Sequence, residues 1–280
     1  MQELQQSDHL QANLLLTALG EIMAGMEPLA VAVSGGVDSM TLATAAHRSA
    51  ANSAIFHAVS PAVPPAATQR VHDLAEAEGW HLRIIDAEEF SDPSYRSNPV
   101  NRCYFCKNNL YGMIARHTDD QIVSGTNVDD LGDFRPGLDA AREHGVRHPF
   151  VEAGIAKAEI RMLARALGLP EIAELPAAPC LSSRVETRIP IDPDVLRAID
   201  QAERMVAKTT TAATVRCRVR ATGIVLELDA NGLAGLSESR KRQLETAVAR
   251  IFEVGGAPAP VSFSEYRMGS AFLRGSIENA

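Results

Sequence analysis

From Leu29 to Leu167, short apolar runs alternate with stretches of helical spacing, and a chain built this way has few folds open to it. Leu29-Ala30-Val31-Ala32-Val33 carries no polar side chain and reads as a strand buried on both faces, with Val37 to Arg48 as the helix that follows. Ala54 to Val59 is a second strand, and Thr68 to Glu78 a helix ended by Gly79. His81 to Ile85 is a third strand. Lys107 to His117 sets Leu110, Met113 and Ile114 on one helical face, and Gln121 to Ser124 is a fourth strand. Lys157 to Leu167 stacks Ile160, Leu163, Ala164 and Leu167 in one stripe, with Gly168 and Pro170 just beyond. The pattern predicts an α/β fold with a parallel sheet covered on both faces.

Four prolines break the alternation between Glu171 and Pro193, a segment that reads as an interdomain connection. The division expected is residues 1–180 as the parallel-sheet domain and 181–280 as a smaller α+β domain. The second unit offers a helix from Asp194 to Lys208, a strand pair at Thr214–Arg220 and Ile224–Asp229, a helix near Ser237–Phe252 and a last strand at Val261–Phe263. In the pair, Val215, Cys217 and Val219 alternate with Arg216, Arg218 and Arg220, so one face is apolar and the other cationic. A Thr222-Gly223 turn would set Arg218 opposite Glu227 and Arg216 opposite Asp229. That face is either a set of cross-strand ion pairs or an anion site.

The 280 residues hold 27 Lys and Arg against 35 Asp and Glu, a net charge of -8. That balance weighs against a nucleic-acid-binding body, whose surface is usually positive. Four cysteines are too few for a secreted disulfide scaffold. The stretch Met1 to Asp8 lacks the basic head and apolar run of a signal peptide. Ser49 to Gln69, the longest run without charge, is broken by Pro61, Pro64 and Pro65, so no membrane span is expected and the cytoplasm is the expected location.

Ser34-Gly35-Gly36-Val37-Asp38-Ser39 sits between the first strand and its helix. Two glycines there let backbone N–H groups converge with the first helical turn on one anion, and Ser34 and Ser39 add hydroxyl donors. The spacing fits neither G-x-x-x-x-G-K-[ST] nor G-x-G-x-x-G. It resembles the SGGxDS loop of the PP-loop ATP pyrophosphatases, which cleave ATP between the α- and β-phosphates and activate a substrate oxygen as an adenylate. Such chemistry needs a grip on pyrophosphate, normally with Mg²⁺, and Asp38 is placed to hold that metal or to cap the helix. The run after the fourth strand adds Gly125, Thr126, Asn127 and Asp129 as nucleotide or metal candidates, since loops after strand C-termini line the ligand crevice of open parallel sheets.

Cys103 and Cys106 form a C-x-x-C immediately ahead of the Lys107 helix, and Cys180 stands in Pro179-Cys180-Leu181-Ser182-Ser183-Arg184. Cys217 belongs to the apolar face of its strand and is assigned to packing. Three thiols suit a cubane iron–sulfur cluster with one open iron, or a Cys₃His zinc site with His117, His144 or His148, or are inert; spacing alone leaves all three open.

Taken together, SGGVDS, NRCYFCK, SGTNVDDLGDFRPG, KAEIRMLARALGLP, PCLSSR, CRVR and EYRMGS resemble the LarE family, ATP-dependent sulfur transferases that make the nickel-pincer nucleotide of lactate racemase. The blocks span nearly the whole chain. The resemblance implies a PP-loop domain of the adenine nucleotide alpha hydrolase-like type, with Ser34, Gly35, Gly36, Asp38 and Ser39 on the ATP phosphates. It implies that Cys180 handles sulfur, and that Cys103, Cys106 and Cys180 hold a [4Fe-4S] cluster whose open iron carries a transferable sulfide. Ser183, Arg184, Arg218 and Arg220 would bind substrate phosphate, with Glu203 and Asp229 as further metal or substrate contacts. The substrate implied is a pyridinium carboxylate mononucleotide, the partners a sulfide donor and further copies of the chain. The chain departs from the family at Ile172-Ala173-Glu174, where an aromatic–acid–basic run is usual, and in VETRIPID after PCLSSR. Two other functions compete: a PP-loop tRNA thiolase, and a zinc-stabilised nucleotide-binding protein without sulfur transfer.

Overall fold

The computed structural model describes residues 2–49, 52–132 and 134–273, with the side chains of residues 2–8 aside. Asp133, in the run after the fourth strand, lies outside the described residues, as do Met1 and the Ala50-Ala51 step of the charge-free stretch. The chain divides into two units, residues 1–89 with 103–178, and residues 90–102 with 179–280.

The first unit is built on a four-stranded parallel sheet of β1 (Leu29–Val33), β2 (Ser53–Ala58), β3 (Leu82–Ile85) and β4 (Gln121–Ser124), in the order β3-β2-β1-β4. Its principal helices are α1 (Gln2–Ala24), α2 (Val37–Ser49), α3 (Pro65–Glu78), α4 (Arg102–His117) and α5 (Lys157–Ala166). The expected alternation is present, strand for strand. β1 is central because every residue in it is buried, which only a strand with a neighbour on each side and a helix layer on each face allows. Its side chains divide by parity. Leu29, Val31 and Val33 join Leu42, Val71, Phe150, Ile160 and Leu163 on one face. Ala30 and Ala32 meet Phe56, Ile122, Tyr111 and Ile114 on the other, where small residues let α4 approach the sheet.

Two features of this unit differ from expectation. The α1 helix precedes the sheet and buries Leu19 and Met23 in the first core. The C-x-x-C lies inside α4, which begins at Arg102; the last helix breaker upstream is Pro99, so nothing delays the helix until Lys107. Cys103 and Cys106 are therefore three residues apart on one helical face.

The second unit holds α6 (Pro193–Thr209), α7 (Glu238–Val254) and a sheet of β5 (Val215–Arg220), β6 (Gly223–Leu228) and β7 (Val261–Glu265), with β6 in the middle, antiparallel to β5 and parallel to β7. Asp192 starts α6 by accepting the N–H groups of Asp194 and Val195. The β5–β6 register is two residues away from the expected one. Arg220 pairs with Gly223, the turn is Ala221-Thr222, Arg216 faces Glu227 and Cys217 faces Leu226. Gly223 has φ +128°, and a Cβ there would stand 2.6 Å from the Pro260 carbonyl, so the close approach of the β7 end draws it into the strand. A shift of two preserves face; Val215 and Cys217 are buried and Val219 is half-buried.

Residues 90–102, sequence-adjacent to the first unit's β3, belong to the second. Asn98 explains how. It is fully buried with φ +54°, and its amide donates to the carbonyls of Glu186 and Ile189 (both 2.9 Å) and Val185 (3.4 Å), while its oxygen accepts from Arg102 Nη1. Backbone bonds from Arg188 to Asn98 and from Ile191 to Arg96 complete the seam. Among the described residues no helix is long and apolar enough to cross a membrane. Asn98→Ala strips buried carbonyls of their donor and places Ala in a left-handed conformation, so it is expected to cost roughly 3 kcal/mol, read as a fall in the urea midpoint.

Candidate functional site

The loop Ser34–Ser39 leaves the C-terminal end of β1 and enters α2. It is folded by its own hydroxyls: the Ser34 N–H donates to Ser39 Oγ at 3.0 Å, the two Oγ atoms lie 3.2 Å apart, and Ser39 Oγ donates to the Gly36 carbonyl. Gly35 has φ +79°, and a Cβ on it would fall 2.6 Å from the Ala67 carbonyl oxygen. Only glycine fits there, because α3 closes directly over the turn. Arg70 of α3 donates to the Gly35 carbonyl at 3.1 Å, so that carbonyl is already taken.

The run after β4 backs this loop. Gly125 presses against it so closely that a Cβ would lie 2.8 Å from Ser39 N and 2.9 Å from the Asp38 carbonyl carbon. Ser124 Oγ contacts Thr126 Oγ1 at 3.3 Å and His148 Nδ1 at 2.9 Å. Asn127 is buried; its side chain accepts from the Asp129 N–H, and its own N–H donates to Asp130. Asp129 in turn accepts the Lys157 N–H at 2.7 Å, capping the first turn of α5 from a distant loop. Ser34, Gly35, Gly36, Asp38, Ser39, Gly125, Thr126, Asn127 and Asp129 thus fall on two adjoining segments that follow the C-terminal ends of β1 and β4.

Lys157 is the site residue that no motif singles out. Its Nζ donates to both carboxylate oxygens of Asp38, one at 2.6 Å, while its backbone is held by Asp129. Asp38 therefore turns to a lysine instead of capping α2. Burial is the largest influence on Asp38 and pushes its carboxyl above the ordinary value; the bond to Lys157 and its charge pull against that, and Asp130 adds to the rise. The hint in sequence is the position of Lys157 at the head of a strongly amphipathic helix. His57 at the end of β2 is fully buried, with Nδ1 on the Val33 carbonyl and Nε2 on Thr68 Oγ1. Burial holds its pKa below the usual histidine range, so the ring is neutral, donates through Nδ1 and accepts from Thr68.

The second unit carries the other group of expected residues. Cys180 is exposed and Cys217 is buried, its thiol pushed well up by desolvation, which fits packing and not chemistry. Arg184 is buried with every nitrogen engaged: Nε and Nη2 fork onto Glu203 at 2.9 and 3.0 Å, and Nη1 reaches the Pro179 and Cys180 carbonyls and Ser183 Oγ. Glu203 also accepts the Cys217 N–H. Arg218 and Arg220 converge on Glu227, at 3.0 and 2.6 Å, and Ser270 donates to the same carboxylate. Burial alone would raise Glu227, but the bonds from Ser270, Arg218 and Arg220 outweigh it and hold the carboxyl below its ordinary value. The arginine face is thus a buried ion-pair cluster. Arg216 stacks on Tyr266, and Asp229, expected opposite it, instead accepts the N–H groups of Thr214 and Gly232.

Cys103 and Cys106 are half-buried on α4. Among the described residues no three His, Cys, Asp or Glu side chains are gathered as metal donors. His144 bonds Asn108 and His148 bonds Ser124.

No protein-family model matches the chain. Over 193 residues, 67% of its length, it is 35% identical to the uncharacterized protein slr1717 of Synechocystis sp., of which it covers 72%. The chain belongs to the slr1717 family. Over 213 residues this slr1717-family chain is 26% identical to the pyridinium-3,5-bisthiocarboxylic acid mononucleotide synthase of Lactiplantibacillus plantarum, covering 73% of this chain and 76% of that one. Over 230 residues it is 25% identical to one of the subunits of the glutamine-hydrolyzing GMP synthase of Methanopyrus kandleri, with 73% and 72% covered. With the parallel sheet and the loop after β1, these distant relatives support the PP-loop superfamily and an ATP-utilising enzyme with a smaller C-terminal domain.

Gly125→Ala in this slr1717-family chain pushes backbone against backbone at Ser39, and ATP affinity by calorimetry is expected to fall about tenfold or more. Lys157→Met removes the pull that restrains Asp38. If ionised Asp38 serves nucleotide binding, the acid limb of the pH profile for ATP binding then moves to higher pH; an unmoved limb would show that Asp38 plays no such part.

Proposed function

We propose that the chain is a LarE-type sulfur transferase: it adenylates a substrate carboxylate with ATP and then exchanges AMP for sulfur. The observation that carries the first half is the Ser34–Ser39 loop, folded by its own serines, backed by Gly125 and with its Gly35 carbonyl taken by Arg70. A substrate carboxylate oxygen attacks the α-phosphate, the bond to the β-phosphate breaks, and pyrophosphate leaves into the loop. Ser34, Gly35, Gly36 and Ser39 receive it, while Gly125, Thr126, Asn127 and Asp129 line the nucleotide side. Mg²⁺ would neutralise the leaving pyrophosphate, with Asp38 its carboxylate ligand in exchange for Lys157.

The second half rests on Cys180. The thiol is exposed, and its backbone is anchored through the Arg184 bonds to the Pro179 and Cys180 carbonyls. Hydrosulfide from the sulfide donor, taken up beside Cys180, attacks the acyl carbon; the C–O bond to AMP breaks, AMP leaves, and a thiocarboxylate forms with its proton lost to solvent. A [4Fe-4S] cluster is the resident sulfur carrier that Cys103, Cys106 and Cys180 would hold, supplying a soft sulfide. Two of the three donors share a face of α4, and the three thiols are the right chemistry. Among the described residues no three such donors are gathered. The Lactiplantibacillus relative is named for a bisthiocarboxylic pyridinium mononucleotide, and a pyridinium carboxylate mononucleotide is the substrate that follows from it.

The test is anaerobic turnover with ATP, Mg²⁺, inorganic sulfide as donor and a pyridine-carboxylate mononucleotide. Pyrophosphate, AMP and thiocarboxylate are expected in equal amounts. Cys180→Ala should abolish thiocarboxylate yet keep pyrophosphate release, and Cys103→Ala should lose bound iron and acid-labile sulfide. Thiocarboxylate formed undiminished by Cys180→Ala would remove the sulfur step, and absence of pyrophosphate release with the wild type would remove the adenylation.

A further inference from the structure

Arg102 stands apart from the other buried cations of the second unit. It is only 1% exposed, yet its Nε and Nη2 are buried and meet no acceptor among the described residues. Nη1 donates to Asn98 Oδ1 at 2.8 Å, and the guanidinium lies over the Phe272 ring, 4.1 Å from its centroid. Nε and Nη2 form the side-on edge of a guanidinium, whose two parallel N–H groups match the two oxygens of a carboxylate or a phosphoryl group. The same unit shows that match, since Arg184 uses this edge on Glu203. Arg218 is neutralised by Glu227. Among the described residues no carboxylate meets this edge of Arg102, and a buried charge without a counter-ion is costly.

We infer that the Nε/Nη2 edge of Arg102 is an oxyanion-binding site that takes a carboxylate or phosphoryl group of the substrate. The assignment deepens the proposed function, because it rests on an anionic small molecule as substrate. Arg218 and Arg220, the arginines expected to bind substrate phosphate, already share Glu227, and Arg220 leaves only its Nε without a partner, so among the described residues of this unit the whole Nε/Nη2 edge left unmatched is that of Arg102. Asn98 fixes the plane of the guanidinium from one side and Phe272 from its face, so the fork is held in place before any ligand arrives. Phe272 sits in the turn closed by its N–H on the Gly269 carbonyl and lies on the guanidinium face; on this proposal its displacement opens the way to the edge. The cation–π contact it gives up is weaker than a buried bidentate pair.

The full chain, with α,β-methylene-ATP occupying the nucleotide loop, is titrated calorimetrically with inorganic phosphate and, separately, with benzoate. Wild type is compared with Arg102→Lys, which keeps charge and loses the fork, and with Arg102→Met. One probe is expected to bind wild type and to weaken about tenfold or more in both variants. A loss confined to phosphate assigns a phosphoryl group, and a loss confined to benzoate assigns a carboxylate. Equal affinity in all three proteins, or no binding of either probe to wild type, overturns the site; an arginine of purely structural use would lower thermal stability and leave probe affinity alone. If α,β-methylene-ATP fails to bind, the nucleotide assignment fails by itself, and the same titrations without it still decide Arg102. Should both variants fail to fold, Phe272→Leu is expected to speed association of the effective probe, and an unchanged rate overturns the proposal.

Discussion

Everything at the edge of the parallel sheet depends on how Lys157 is held. Its backbone N–H is taken by Asp129 and its ammonium by Asp38, so one residue at the start of α5 ties the loop after β4 to the helix after β1. Carboxylates drawn together around a phosphate site would repel both one another and the incoming nucleotide. The Lys157 ammonium offsets the charge of Asp38, while Asp129 is met by the backbone N–H of the same residue. Gly125 adds the steric half of the arrangement, allowing the two loops to touch backbone to backbone. Charge and contact together hold the two loops in place.

The second unit solves a related problem by burying its charges in matched sets. Glu203 holds Arg184 by both oxygens, and Glu227 gathers Arg218, Arg220 and Ser270. Such buried pairs add less to stability than their number suggests, since desolvation offsets much of the attraction. What they provide is position. Arg184 ties down the backbone on which Cys180 stands, and Arg218 donates to the Ser183 carbonyl three residues on.

Much of the first unit is legible in sequence because its signals are local. An unbroken apolar run makes β1 central, and two glycines mark a tight turn between strand and helix; the structure has the strand and the turn where the residues indicate. The β5–β6 pair shows where such signals stop. Alternation tells one face from the other, but two registers of equal parity satisfy it alike, and the choice falls to Pro260, far along the chain from Gly223. Lys157 and Asp38 are likewise remote in sequence, and neither has a local pattern that names the other. Asp229, which alternation sets opposite an arginine, serves backbone N–H groups instead, a use that composition does not reveal. The cysteines are in between: the C-x-x-C is visible, its place within α4 is not.

The excursion of residues 90–102 has a consequence for how this molecule can have been assembled. The C-terminal unit is not a contiguous cassette, because a strip of it is encoded between the third and fourth strands of its neighbour and is sewn in through Asn98. Neither half can be cut out, exchanged or fused elsewhere as a single stretch without leaving a seam open. Gene rearrangements that shuffle whole modules are closed to this architecture, and its two parts are bound to travel, and to diverge, as one.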